Sequence, residues 1–248
     1  MVRISTTIYL IDHYANNLNS PMHKASTLSR LMSAIVVLGI TIFTNSALAL
    51  VAEFLIILTF IAAAKLPISR LLSWALYPAF FASLFALSQI PYSLVLPIIT
   101  IFKAINAALV MLFLISTTPY PELFSILSIP SKTLGNIAFL TYRFFFLFID
   151  QTGERFTVMK ARGGLAGSWK TKITNLAHFI GMLFITSFET SESMYAAMKT
   201  RGYSGSISHH KKLRQKFGKQ DLMPVAFVLC ILAIMVVSTF FKAWRVFM

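Results

Sequence analysis

Residues 31–64 read LMSAIVVLGITIFTNSALALVAEFLIILTFIAAA, and the one charged residue among them is Glu53. A bilayer span needs roughly 20 predominantly apolar residues, so this stretch is too long for one helix and too apolar for a loop. Thr44-Asn45-Ser46 is a short polar run suited to a turn. The expectation is two spans, at about 29–44 and 47–64, joined there.

The same test works outward along the chain. Residues 1–27 are polar, with Asp12, His13, Asn16, Asn17 and Lys24. They lack the basic start and short apolar core of a signal peptide, so the first span is expected to be retained. Residues 71–102 carry no charge but hold Pro78, Pro91 and Pro97. They predict a third span at about 70–89, a bend at Gln89-Ile90-Pro91 and a fourth span at about 97–118. Residues 119–221 change character: they hold 14 of the 22 Lys and Arg and six of the eight acids, yet stay rich in apolar side chains. Residues 222–241 are uncharged again and predict a final span. The expected fold is all-α, a polytopic membrane protein with about five transmembrane helices. Its expected parts are an N-terminal tail with four spans (1–118), a module of long helices outside the bilayer (119–221), and a last span with a tail (222–248).

Composition agrees. The chain is 57% hydrophobic and 12% charged, whereas soluble domains carry about a quarter charged residues. The single Cys230 can form no internal disulfide. A net charge of +14 could point to nucleic acid, anionic lipid or the cytoplasmic side of a membrane. Position favours the last. Arg3, Lys24 and Arg30 precede or open the first span, Lys65 and Arg70 lie between the second and third, and the basic 119–221 segment follows the fourth. Four spans put all of these on one side, and the loops near 45 and 90 carry no Lys or Arg. That is the positive-inside pattern with a cytoplasmic N-terminus. Lys242 and Arg245 then fall outside and run against it. Lys103, near the outer end of the fourth span, reads either as a lysine snorkelling to the interface or as a contact to a membrane partner. The run His209-His210-Lys211-Lys212 with Arg214 precedes the last span and suits anionic lipid. Nucleic-acid binding would want interleaved aromatics, and only Phe217 is there.

One motif occurs twice. Met159-Lys160-Ala161-Arg162-Gly163 is echoed by Met198-Lys199-Thr200-Arg201-Gly202. Each closes a stretch that reads as a long helix, about 131–162 and 171–201. Gly just beyond a helix takes the left-handed conformation cheaply, and Arg in the last turn suits the negative end of the helix dipole. One such ending is an ordinary helix stop. Two matching ones present two guanidinium groups able to make bidentate bonds to a partner. The apolar positions of these helices, Phe144 to Phe148 on one and Ile173, Leu176, Ala177, Ile180, Leu183, Phe184 and Phe188 on the other, are expected mostly to pack the helices together. Some of the excess is expected to face membrane helices or a membrane partner.

In order along the chain, Ile11-Asp12-His13-Tyr14-Ala15, Asn19-Ser20-Pro21-Met22-His23, Thr117-Thr118-Pro119 with Glu122-Leu123 and Ile129-Pro130, and the paired Arg-Gly ends resemble the transmembrane coupling subunits of energy-coupling factor (ECF) transporters, in particular the CbiQ branch. The resemblance runs from about residue 11 to 203. It departs at Thr200, where the family usually has Ala, and at Lys103, where it commonly has Arg. It implies a non-catalytic subunit of an ATP-driven importer in a prokaryotic cell membrane. Two cytoplasmic ABC-type ATPases would dock on Ala161, Arg162, Gly163 and on Thr200, Arg201, Gly202, and a separate membrane subunit would capture the substrate. ATP would be bound by the partners, with no cofactor or metal in this chain. Cobalt or nickel uptake is the implied direction, with a vitamin as the alternative.

The sequence contains no Gly-x-x-x-x-Gly-Lys-Ser/Thr phosphate loop, His-Glu-x-x-His zinc motif or Gly-x-Ser-x-Gly elbow. Glu189 and Glu192 lack a nearby histidine and read as solvated carboxylates. A stand-alone secondary transporter is the rival reading, with Glu53 as its only acidic candidate near the bilayer midplane.

Overall fold

The computed structural model describes residues 10, 14–15, 20–93, 95–129, 131–203, 218 and 221–247. Nine helices lie among them: α1 (Pro21–Lys24), α2 (Thr27–Phe43), α3 (Ala47–Ala63), α4 (Ile68–Leu87), α5 (Val95–Thr117), α6 (Tyr120–Leu127), α7 (Lys132–Ala161), α8 (Trp169–Thr200) and α9 (Leu222–Phe247). The described residues contain no strand.

Local chemistry sets the helix ends. Ser26 caps α2, its hydroxyl accepting from the Ser29 N–H at 3.3 Å. Residues 44–46 break α2 from α3 as expected. After α3, Lys65 adopts a left-handed φ of 59°, and the Leu66 N–H returns to the Ile61 carbonyl. The bend at residues 88–92 closes with the Tyr92 N–H on the Gln89 carbonyl. Pro119 ends the run after α5 and starts α6, accepting from the Glu122 and Leu123 N–H groups.

The chain divides into two compact units. One comprises residues 10–123 and 211–248, the other residues 1–9 and 124–210. In the first unit α5 packs against α2, α3 and α4, and α9 packs against α2 and α3. The core there is Val37, Leu50, Ile57, Ile61, Leu71, Leu109 and Val110. Phe227 of α9 lies between Phe60 (centroids 4.8 Å apart) and Phe113 (5.7 Å) and seats the last helix.

Length and apolarity qualify α4, α5 and α7 as membrane spans, while α2, α3 and residues 222–238 of α9 are shorter apolar helices. At 17 residues each, α2 and α3 stand at the lower end of the spanning range. That α7 qualifies differs from the expectation for residues 119–221. Its best window is the least apolar of the three, at a mean hydropathy of 1.2 against 2.4 for α5.

The second unit holds α7 and α8. Here the expected packing is corrected. Ile173, Leu176, Ile180, Phe184 and Phe188 are all exposed, as are Phe145, Leu147 and Phe148. Phe179 and Leu183 are the buried positions of α8, and Phe156 meets Phe179 edge-to-face at 5.8 Å. The two helices touch over a short crossing rather than along their apolar faces. Helical spacing identified an apolar stripe but not what it faces.

Candidate functional site

The two repeated motifs fold into the same device. At the end of α7, Arg162 is the C-cap and Gly163 has φ 74°. The Gly163 N–H bonds the Lys160 carbonyl at 3.1 Å and the Gly164 N–H bonds the Met159 carbonyl at 2.9 Å. At the end of α8, Arg201 is the C-cap and Gly202 has φ 79°. The Gly202 N–H bonds Lys199 at 3.1 Å and the Tyr203 N–H bonds Met198 at 3.0 Å. Both are complete Schellman motifs, with the 6→1 and 5→2 bonds in place. Met-Lys-Ala/Thr-Arg-Gly is therefore a structural repeat as well as a sequence repeat.

In both, the backbone completes the cap and the arginine side chain is left over. Ala161, Arg162, Gly163, Thr200, Arg201 and Gly202 are all exposed. The Thr200 hydroxyl turns back to the Ala197 carbonyl at 2.9 Å. Thr in place of Ala therefore adds one bond within its own helix and leaves the backbone bonds of the cap in place. Each tip presents an arginine two residues after a lysine, Lys160 or Lys199, at the negative end of a long helix.

The first tip has further definition. Asn175 donates to the Gly164 carbonyl at 3.0 Å and ties the turn to α8. Arg155, Met159, Arg162, Asn175, His178 and Met182 line an open groove beside it. Sequence reasoning missed Arg155, Asn175 and His178, because they come from the approach and return of the turn rather than from the repeat.

The remaining candidates separate cleanly. Glu189 and Glu192 are exposed on α8. Residues 209–217, including the basic run, lie outside the described residues, as do residues 11–13, Asn19 and Pro130 of the resemblance. Lys103 donates to the Ile42 carbonyl at 2.7 Å and to Asn45 Oδ1 at 3.0 Å, closing the α2–α3 turn. Glu53 is buried, bonded by the Thr41 hydroxyl and by the Asn106 amide at 3.4 Å. No group of three or more His, Cys, Asp or Glu that could hold a metal occurs among the described residues.

A second cluster was not read from the sequence at all. Arg30, 2% exposed, pairs with Glu122 at 3.1 Å and donates to the Thr117 carbonyl. The Thr27 hydroxyl also donates to Glu122, at 2.7 Å. Asp221 accepts from the Ser26 N–H at 2.7 Å, the Ser29 hydroxyl at 2.8 Å and the Gly218 N–H at 3.2 Å. Burial alone would raise its pKa, but these bonds from Ser26, Ser29 and Gly218 prevail and hold the carboxyl below the usual carboxylate range. The partners stand too far apart in the chain for any local pattern to show them.

The fold and the two tips define a class: a helical multi-pass membrane protein that presents paired cationic helix ends. Residues 19–213 match the family model CbiQ, described as cobalt transport protein. This chain belongs to that family, whose members sit in the plasma membrane as transport components. Among similar proteins is the provisionally named fused cobalt transport protein CbiMQ of Methanocorpusculum labreanum, 30% identical over 119 residues, 47% of this chain and 20% of that one. The energy-coupling factor transporter transmembrane protein EcfT of Listeria innocua is 28% identical over 104 residues, 40% of this chain and 39% of its own. That of Streptococcus thermophilus is 27% identical over 109 residues, 43% and 41% respectively. The chain thus spans well under half the length of these curated relatives.

Proposed function

We propose that this chain is the transmembrane scaffold subunit of an ECF-type importer. Two cytoplasmic ABC-type ATPases dock on the Arg162 and Arg201 tips, and a separate membrane subunit captures the substrate. The cargo class favoured is a cobalt ion, following the family description, or the chemically similar nickel ion, with a vitamin as the alternative. The observation that carries the reading is the pair of matching, exposed Arg-Gly helix ends, whose arginines the fold itself does not use. Catalysis of ATP hydrolysis is assigned to the partners, since the chain lacks the phosphate-binding loop.

The rival reading, a stand-alone secondary transporter, gains nothing from Glu53. Its carboxyl is engaged by Thr41 and Asn106 inside the bundle, and a helix-packing role accounts for it.

Affinity purification of the tagged chain from its own host tests the proposal. Two ATP-binding subunits, or two copies of one, should co-purify from native membranes. The double variant Arg162→Ala/Arg201→Ala should lose them while still inserting in the membrane. Retention of full ATP-driven uptake by that variant would reduce the tips to ordinary helix stops.

A further inference from the structure

Glu122 and Asp221 both belong to the unit of residues 10–123 and 211–248, and in sequence they flank the segment that carries α7 and α8. Both are bonded to the same turn of α2. Glu122 takes Arg30 and the Thr27 hydroxyl, and Asp221 takes the Ser26 N–H and the Ser29 hydroxyl. Arg30 adds the Thr117 carbonyl, an otherwise open end group of α5. All of these contacts lie within one compact unit.

Capping alone does not explain the arrangement. Ser26 already caps α2 with its own hydroxyl, so Asp221 is not needed for that purpose. It reaches instead to the N–H of the cap residue and to the hydroxyl one turn on, tying the entry of α9 to the start of α2. Arg30 does the same for the exit from α5 into α6. Arg30 and Asp221 are both buried, 2% and 4% exposed. Removing one partner would strand a buried charge, so the joint is stiff in the sense that it has no inexpensive open state.

We propose that residues 26–30 form the joint through which movement of the segment carrying the tips enters the membrane bundle, with Arg30–Glu122 and Asp221–Ser26/Ser29 as its two fixings. Every covalent path from α7 and α8 to the bundle passes through one of these two points. Fixing both to one helical turn makes them move together, so a displacement of the segment turns α2 rather than being lost in two independent hinges. This rests on the scaffold role proposed above. It adds that Arg30, Glu122 and Asp221 are positioning residues for coupling, remote from either tip.

The test uses the full transporter, with its ATPases and capturing subunit, reconstituted in lipid vesicles. The readout is substrate accumulated per ATP hydrolysed. Glu122→Gln combined with Asp221→Asn should lower the yield of assembled complex, but in the complexes that do assemble ATP turnover should stay near the wild-type level and transport per ATP should fall about tenfold, in the middle of the range for residues sharing one network. Ser29→Ala removes one hydroxyl and no charge, so it keeps the chain folded should the double variant fail to assemble. It should lower the same ratio by about threefold. A structural staple would lower assembly, hydrolysis and transport in parallel and leave the ratio unchanged. An unchanged ratio in assembled complexes of Ser29→Ala and the double variant overturns the joint. If the wild-type chain never binds ATPases, the scaffold role itself fails instead.

Discussion

At each tip the arginine is where the helix stops but not why it stops. The Arg162 N–H bonds the Val158 carbonyl, and the Arg201 N–H bonds Met198, so the backbone bonds of the cap survive removal of either side chain. Arg162→Ala and Arg201→Ala are therefore expected to change folding stability by under about 0.5 kcal/mol, as for other exposed positions. Each should weaken ATPase docking by about 2–5 kcal/mol, the range for a buried charge contact at an interface. Arg→Lys should recover only part of this, because the ammonium lacks the planar fork. Gly163→Ala and Gly202→Ala should do the reverse, costing about 1–2 kcal/mol at the helix end through their positive φ. Chemical denaturation and a binding assay on the same four variants separate the two effects. His23 supplies a pH handle of a different kind. Its Nδ1 lies 2.7 Å from Ser20 Oγ and its Nε2 3.2 Å from the Tyr14 carbonyl, a pattern that the neutral Nε2–H tautomer satisfies. Burial holds its pKa below 6.5 and nearby Arg30 adds to this, against the opposing pull of the Tyr14 and Ser116 carbonyls. The unfolded chain then binds the proton first, so stability should fall as pH drops below about 6.5 and level off below the folded-state pKa. The thermal midpoint in detergent should follow that course, and His23→Gln should flatten it. A slope unchanged in His23→Gln would place the titration elsewhere.

Among the elements, α7 and α8 show which features are legible in a sequence. Their lengths and ends were readable, because apolar spacing, the absence of proline and the Gly after each repeat are local signals. The helices run over 132–161 and 169–200, within two residues of the expected 131–162 and 171–201. What the apolar stripes face was not readable, since spacing alone does not distinguish a neighbouring helix from an open surface. The crossing through Phe156, Phe179 and Leu183 lies near the end of α7 but toward the middle of α8. At 1.5 Å per residue, the Arg162 arm measures roughly 10 Å from the crossing and the Arg201 arm roughly 30 Å. The packing expected between the two apolar faces is thus confined to a short pivot with unequal arms. Phe179→Ala should loosen it by about 3 kcal/mol, while Phe184→Ala, at a position 64% exposed, should have little effect. Hydrogen exchange along residues 150–185 would show the difference, and equal exchange in both variants would refute the pivot. Gly135 marks the other constraint on α7. A Cβ there would stand 2.5 Å from Ser128 Cβ and 2.9 Å from its Cα. Gly135→Ala should therefore cost about 1–3 kcal/mol by overpacking at the start of the helix, measurable as lost thermal stability.

For the whole molecule, bilayer thickness makes apolar segments legible, although α7 adds a sixth apolar helix to the five expected, and the basic residues supply the expected orientation. The long-range bonds are not readable in this way. Arg30 with Glu122, Asp221 with Ser29 and Lys103 with Ile42 each join residues that no periodicity relates. Lys103 closes the α2–α3 turn, its ammonium bonded to Ile42 and Asn45 within the chain. The decisive remaining question concerns α7, which is apolar enough to cross a membrane by length and composition. Its charges argue for the cytoplasmic side. Lys132, Arg143, Asp150, Glu154 and Arg155 are distributed along it, whereas α5 carries Lys103 alone. Each charge held at the bilayer centre costs about 2.5–3.5 kcal/mol on insertion scales. A crossing α7 would also carry the Arg162 tip to the outside, where no ATP-binding partner can meet it. Single cysteines introduced in a Cys230→Ser background test the arrangement with a membrane-impermeant thiol reagent. Positions 3, 166 and 207 should react only when the cytoplasmic face is opened, and position 92, in the turn between α4 and α5, should react in intact cells. Labelling of position 166 from outside would make α7 a span and end the docking assignment for Arg162. Labelling of position 207 from outside would overturn the five-span scheme with its external C-terminus.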